Sequence, residues 1–185
     1  MNGFIAAVRH GILGLARFSG RDSLAQFWLY TAFVLAMLFV AAVSTVLPPI
    51  TYAMDRAAAA TLGGEESRMA FDVRGILYPV LALTVLAVVA LAAAVVRRLH
   101  DRDRSGWWGT LPLPFLAVGF TLTPVVFDGL AETGQANVVA FFMLFFNNAA
   151  YLLSLLWLLV LLVCSGTRGA NRFGPEPDQS RAGAI

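Results

Sequence analysis

Charged residues are scarce in this chain. They make up 13% of its 185 residues, while hydrophobic residues make up 59%; soluble globular domains average about 25% and about 45–50%. The mean hydropathy of +0.75 points the same way. The composition therefore excludes an ordinary soluble domain and predicts an integral membrane protein. A chain of this length has room for one compact helical bundle but not for an additional soluble domain.

Lysine is absent and cysteine almost so. All 13 basic residues are arginine, whose planar fork suits phosphate groups better than an ammonium group does. The single cysteine, Cys164, cannot form an internal disulfide and cannot supply a cysteine metal cluster. Neither an oxidising compartment nor a cofactor is implied, and no nucleic acid is expected as a partner.

Four long runs without a charged residue predict four membrane-spanning helices. They cover about residues 25–47, 76–96, 107–127 and 141–163. Pro48-Pro49 is expected to end the first helix, since each proline lacks a backbone donor. Residues 50–75 are then expected to form a loop with room for one short surface helix, and residues 128–137 a second loop.

Residues 1–23 are predicted to form a cytoplasmic segment whose short amphipathic helix lies in the headgroup plane. Two sets of residues fall on opposite sides of that helix: apolar Phe4, Ile5, Val8, Ile12 and Leu15, and basic Arg9, His10 and Arg17. Three glycines in this segment, Gly3, Gly11 and Gly14, disfavour a helix, and the alternative is a disordered tail. Ser23 is a candidate N-cap for the first span. Phe27, Trp28 and Tyr30 are expected to anchor that span at the membrane interface.

The arginines also predict an orientation. Three of them, Arg56, Arg68 and Arg74, lie between the first two spans, and the other ten lie on the opposite side of the membrane. The positive-inside rule then places both termini, including the tail of residues 166–185, in the cytoplasm.

Three motifs together resemble the DUF805 family of small bacterial inner-membrane proteins. The first is Phe18-Ser19-Gly20-Arg21 leading to Phe27-Trp28; the second is Arg97-Arg98-Leu99-His100-Asp101 with Ser105-Gly106-Trp107-Trp108. The third runs from Gly166-Thr167 through Gly169 to Asn171-Arg172-Phe173-Gly174-Pro175. The resemblance implies an all-α integral membrane protein, a four-helix transmembrane bundle with all three motifs on one face. It implies no activity. The connection between the first two spans looks longer than is usual in the family.

The predicted topology brings the three motifs to one membrane surface, where two interpretations remain open. In the first, their charges form a salt-bridged collar that holds the helix ends together. In the second, the arginines bind an acidic phospholipid headgroup, such as cardiolipin, or a partner membrane protein. The candidate binding residues are Arg21, Arg97, Arg98, His100, Asp101, Arg104, Trp107, Trp108 and Arg172.

Other functions have weaker support in the sequence. His100 beside Asp101 could act as a general base, but no phosphate loop or nucleophile accompanies the pair. A metal site at His100, Asp101 and Asp103 has one good nitrogen ligand. Four polar residues of the fourth span, Asn147, Asn148, Tyr151 and Ser154, could bond to neighbouring helices or line a pathway. We therefore expect a non-enzymatic structural or accessory protein; the alternative is a subunit of a small oligomeric transporter or channel.

Overall fold

The computed structural model describes residues 2–63, 73–133 and 137–177, and every regular element in these ranges is helical. The α-helices are α1 (Asn2–Leu13), α2 (Leu24–Gly63), α3 (Val73–Asp101), α4 (Leu113–Thr133) and α5 (Val138–Val163), and a 3-10 turn covers Gly106–Thr110. Four helices are long and apolar enough to cross a membrane. The chain is therefore an all-α, multi-pass membrane protein, as predicted.

Helix α2 does not end at Pro48-Pro49, so that prediction is wrong. The helix continues for more than three turns beyond the prolines, to Gly63. Within a membrane-spanning helix, local adjustment and neighbouring groups can resatisfy the carbonyls that a proline leaves without a donor. The alanines at 57–60 have the highest helix propensity and favour continuation. The predicted loop is thus helical over 50–63, and its residues 64–72 lie outside the described ranges.

The third and fourth helices also differ from the predicted boundaries. Helix α3 extends to Asp101, so the first half of the charged stretch between spans two and three is its last helical turn. Basic residues are favourable there, because the carbonyl end of a helix carries partial negative charge. Helix α4 extends to Thr133, so residues 128–133 are helical and were wrongly predicted as loop.

A capping box starts helix α2 and confirms Ser23 as the N-cap. The Ser23 backbone N–H donates to the Gln26 side chain at 3.0 Å, and the Gln26 N–H donates to Ser23 Oγ at 3.3 Å. The expected aromatic anchor is wrong for two of its three members. Phe27 and Tyr30 are only 2% and 3% exposed, and the Tyr30 hydroxyl donates to the Ala90 carbonyl at 2.9 Å. Both rings face other helices, because α3 and α5 cover them.

Helix α1 packs through its small residues. Ala7, Gly11 and Gly14 are buried, whereas Ile5 and Ile12 remain about half exposed. A Cβ added to Gly11 would lie 2.2 Å from the Tyr30 ring, so only glycine permits this approach. The glycines that argued against a helix are therefore its contact points, and the exposed apolar side chains are available to lipid.

Contacts along the chain divide it into two compact units. The first, here called the motif unit, comprises Met1–Leu38, Val85–Leu113 and Leu152–Ile185 and contains all three sequence motifs. Its core includes Phe27, Tyr30 and Leu99 together with Leu158 and Leu162.

The second unit, here called the loop unit, comprises Phe39–Thr84 and Pro114–Tyr151. Two polar contacts stand out among its described residues. Exposed Arg74 and Asp128 form an ion pair at 2.5 Å. The Asn147 side chain donates to the Phe115 carbonyl at 2.9 Å. For Asn147, the predicted bonding between helices is confirmed.

Candidate functional site

Asp101, at the end of helix α3, is the centre of the motif unit's polar network. Its Oδ1 accepts from Arg21 Nε at 3.0 Å and from Arg21 Nη2 at 2.9 Å. Its Oδ2 accepts from Arg98 Nη1. All three side chains are buried, with exposures of 1% for each arginine and 6% for the carboxylate. Residues from two of the three motifs thus share one desolvated carboxylate.

Asp22 forms a second buried pair with Arg97. Its Oδ1 accepts from Arg97 Nε at 2.9 Å and lies 2.9 Å from His10 Nε2. Burial alone would raise the pKa of Asp22, but the hydrogen bonds from His10 and Arg97 and their positive charge outweigh it, so the pKa is lowered from its ordinary value. Arg97 Nη1 also donates to the carbonyls of Gly14 and Arg17, at 2.8 and 2.6 Å. The pair therefore ties the N-terminal segment to helix α3.

Arg98 of the second motif and the nearby Arg102 stabilise the end of helix α5. The last carbonyls of a helix have no intrahelical donor. Arg98 donates to the Leu162 carbonyl at 3.0 Å and to the Cys164 carbonyl at 2.5 Å. Arg102 donates to the Leu161 carbonyl at 3.0 Å. These contacts supply donors where the helix lacks them and place cations at its negative end.

The third motif folds into a tight turn over Arg21. Asn171 and Gly174 exchange backbone hydrogen bonds at 3.0 Å, and Gly174 has a φ of 136°, a region that side chains disfavour. Arg21 donates to the carbonyls of Thr167 and Gly169, at 2.6 and 2.7 Å. A Cβ added to Gly166 would lie 2.0 Å from the Asp101 carboxylate. The turn therefore fits this carboxylate only with glycine at position 166.

His100 lies under the same turn. Its ring stacks on Phe173 with centroids 3.8 Å apart and planes 6° from parallel. Its Nδ1 lies 3.3 Å from the Gly20 carbonyl, and its own carbonyl accepts from the Asn171 side chain at 2.9 Å. His100 thus contacts both the first and the third motif.

We call Arg21, Asp22, Arg97, Arg98 and Asp101 the buried arginine cluster. It sets three cations against two carboxylates, and each arginine also donates to backbone carbonyls. The predicted convergence of the three motifs is confirmed as geometry. The contacts of Arg21 and Arg98 are those of structural groups, since all three nitrogens of each side chain donate within the protein. Direct ligand binding by them stays a prediction.

Four other predicted site residues lie outside this cluster and are exposed. Arg172 pairs with Asp103 at 3.0 Å, where the side chains are 61% and 46% exposed. Trp107 is 80% exposed, and Trp108 lies against Trp157 with ring centroids 6.3 Å apart. Arg104 is also exposed. No hydrogen bond, ion pair or ring contact within the described ranges joins these four side chains to one another.

A groove of about 470 Å³ opens beside the cluster. Its polar lining includes His10, Arg17, Ser19 and Arg97, with Glu176 on the side of the third motif. The His10 side chain is 41% exposed and Arg17 is exposed. We call this the N-terminal groove. His10, Arg17 and Ser19 were absent from the predicted site, although two of them form the basic side predicted for the N-terminal helix.

The geometry bears on the two chemical alternatives. His100 and Asp101 do not form a dyad, because the imidazole faces the Gly20 carbonyl and both carboxylate oxygens accept from arginine. Within residues 2–63, 73–133 and 137–177, no group of three His, Cys, Asp or Glu side chains could hold a metal ion.

Comparison with known proteins agrees with the three motifs. A family model described as "Protein of unknown function (DUF805)" matches residues 15–175. This chain belongs to the DUF805 family. The match begins just before the first motif and ends at the last residue of the third, so the buried arginine cluster lies within the part of this DUF805 chain that the model covers. No curated protein and no solved structure matches the chain.

Proposed function

We propose that this DUF805 protein is a non-enzymatic accessory protein of the bacterial inner membrane that binds acidic phospholipid headgroups at the cytoplasmic surface. The buried arginine cluster holds the helix ends together, and the N-terminal groove receives the phosphate. The observation that carries the proposal is a buried arginine with a spare donor on the groove. Among the described residues, nothing accepts from Arg97 Nη2, whereas Nε and Nη1 are both occupied.

The groove's other basic groups suit an anion as well. His10 Nε2 is engaged by Asp22, which leaves Nδ1 as the donor when the ring is protonated. Arg17 uses its backbone carbonyl to hold Arg97, so its exposed side chain is available to a ligand. Guanidinium groups bind phosphate through paired, charge-assisted hydrogen bonds. The one acidic side chain named in the lining, Glu176, accepts a hydrogen bond from the Gly169 N–H through Oε2 at 2.8 Å.

The exposed residues of the motif unit support a membrane ligand over a free one. Ile5 and Ile12 on helix α1 and Trp107 expose 58%, 49% and 80% of their surface, and such residues favour the lipid interface. Arg9, Arg104 and Arg168 are exposed and make no ion pair with any described residue. A juxtamembrane arginine contributes about 1 kcal/mol of attraction to an anionic leaflet.

The orientation follows from the same charges. Ten arginines lie on the side of the three motifs and three lie between the first two spans, so the positive-inside rule favours a cytoplasmic side for the motifs and both termini. The cytoplasmic leaflet carries the negative surface potential that this proposal requires.

Native mass spectrometry of the purified protein tests the proposal. The wild type, extracted with its lipids, should retain phosphatidylglycerol or cardiolipin in preference to phosphatidylethanolamine. Arg17→Gln should reduce the retained acidic lipid severalfold while leaving the fold intact. The matched control is Arg56→Gln, which removes an equally exposed arginine from the loop unit. Equal retention by both variants would reject the groove as the headgroup site.

A further inference from the structure

Asn148 places an amide deep in the membrane. It is the eleventh residue of the 26-residue helix α5, which puts it about 15 Å from the start of a helix about 39 Å long. The hydrocarbon core is about 30 Å thick, so this position lies near its middle. The Asn148 side chain is nevertheless exposed on the protein surface.

The amide has no protein partner within the described part of the chain. Neighbouring Asn147 donates to the Phe115 carbonyl, whereas Asn148 has no such contact. It lines an open cavity of about 170 Å³, together with Gly119, Thr123 and Tyr151. The Thr123 hydroxyl already donates to the Gly119 carbonyl at 2.8 Å. Lipid tails offer no hydrogen bond, so an amide left here is unfavourable.

The residues before Asn148 supply an apolar seam. Val138, Phe141 and Phe145 precede it at spacings of three, four and three residues and are 60%, 49% and 57% exposed. This spacing is the heptad pattern of a helix seam. A single asparagine in such a seam fixes the register and the number of helices.

We propose that the protein forms a parallel dimer in the membrane through helix α5, with Asn148 of one copy hydrogen-bonded to Asn148 of the other. Copies inserted with the same topology present this residue at the same depth. A carboxamide both donates and accepts, so a two-fold axis lets two asparagines exchange hydrogen bonds. Phospholipid headgroups lie at the interface and do not reach this depth. The proposal stands independently of headgroup binding.

Cysteine cross-linking in liposomes tests the contact. Phe145→Cys, a seam position that leaves Asn148 in place, is introduced into Cys164→Ser, which removes the only native thiol. Mild oxidation should yield a disulfide-linked dimer, because this bond forms only when the Cα atoms come within about 7 Å. Met143→Cys in the same background is the control, since Met143 is 56% exposed, two residues away and nearly opposite on the helix. Equal cross-linking at both positions, or none at position 145, overturns the proposal.

Energy transfer between labelled copies measures the strength of association. The exposed Cys164 accepts donor or acceptor dyes in the otherwise native chain. Asn148→Leu should raise the dissociation constant about tenfold, in line with interhelical hydrogen bonds in membranes, with unchanged helicity by circular dichroism. Undiminished transfer in Asn148→Leu would overturn the proposal. A monomeric wild type whose bound lipid is lost in Asn148→Leu would also overturn the proposal, because a lipid would then be the partner of Asn148.

Discussion

Replacing Asp101 by asparagine should be among the most damaging single substitutions in this protein. The carboxylate is 6% exposed and is shared by two arginines that are each 1% exposed. An amide of the same size keeps one acceptor but presents N–H groups where Arg98 donates. Two buried guanidinium groups would then lose their shared counter-ion. Removing one partner of a buried ion pair costs about 3–5 kcal/mol, and we expect a loss of that order in the free energy of unfolding.

Asp103→Asn is the matched control. It makes the same chemical change two residues along the chain, in a pair whose side chains are 46% and 61% exposed. Exposed pairs contribute about 0–1 kcal/mol. The φ of 55° at Asp103 is a conformation that asparagine tolerates as readily as aspartate. The control should therefore stay within about 1 kcal/mol of the wild type.

Reversible unfolding in mixed micelles, with sodium dodecyl sulfate as denaturant and circular dichroism as signal, measures both variants. If Asp101→Asn is no less stable than Asp103→Asn, the buried arginine cluster does not hold the motif unit together and the reasoning fails.

Three further predictions use the same unfolding measurement. Gly11→Ala should cost about 1–3 kcal/mol, because the new Cβ would lie 2.2 Å from the Tyr30 ring; unchanged stability would contradict the packing of helix α1. Gly166→Ala should cost a similar amount, since its Cβ would lie 2.0 Å from the Asp101 carboxylate, and Gly119→Ala, whose Cβ would come no closer than 3.4 Å to a neighbouring atom, should not clash. The folded pKa of Asp22 lies below its ordinary 3.8, so its stabilisation should be present above that value and be lost as the pH falls through the folded pKa. Asp22→Asn should lack this acid-dependent loss, and an identical pH profile would contradict it.

The number of membrane spans could be predicted because hydropathy is a local property of the chain. In lipid, the backbone N–H and C=O groups of the four long uncharged runs find partners when the runs are helical. The convergence of the three motifs then follows from topology alone, since an even number of crossings returns the chain to the same side. No side-chain packing was needed for either conclusion.

The helix boundaries were harder to predict, since they depend on neighbours. Pro48-Pro49 removes two donors, which ends most soluble helices but not α2. The end of α3 at Asp101 depends on the Arg21 and Thr167 contacts, which come from elsewhere in the chain. A sequence pattern cannot show those partners.

The spacing of residues in the sequence separates the buried arginines from the exposed ones. Arg97 and Arg98 precede Asp101 by four and three residues, which puts all three on one side of helix α3. In the structure Arg98 pairs with Asp101, whereas Arg97 pairs with Asp22. Arg104 follows the helix end and is exposed. Ala7, Gly11 and Gly14 likewise follow small-residue spacing, a known pattern of close helix contact in membranes.

A lipid phosphate would compete with the protein's own carbonyls and carboxylate for the donors of the buried arginines. A headgroup that took Arg21 or Arg98 would displace the carbonyls and the carboxylate that those side chains satisfy, and would leave the latter groups buried without partners. Such an exchange is unfavourable, because an unsatisfied buried acceptor costs about 1–3 kcal/mol and a buried charge costs more. A ligand is therefore expected at donors that the fold does not use, on Arg97, His10 and Arg17. Substitutions should accordingly separate into two groups: those at Asp101, which lower stability first, and those at Arg17, which lower lipid retention in a protein that still folds.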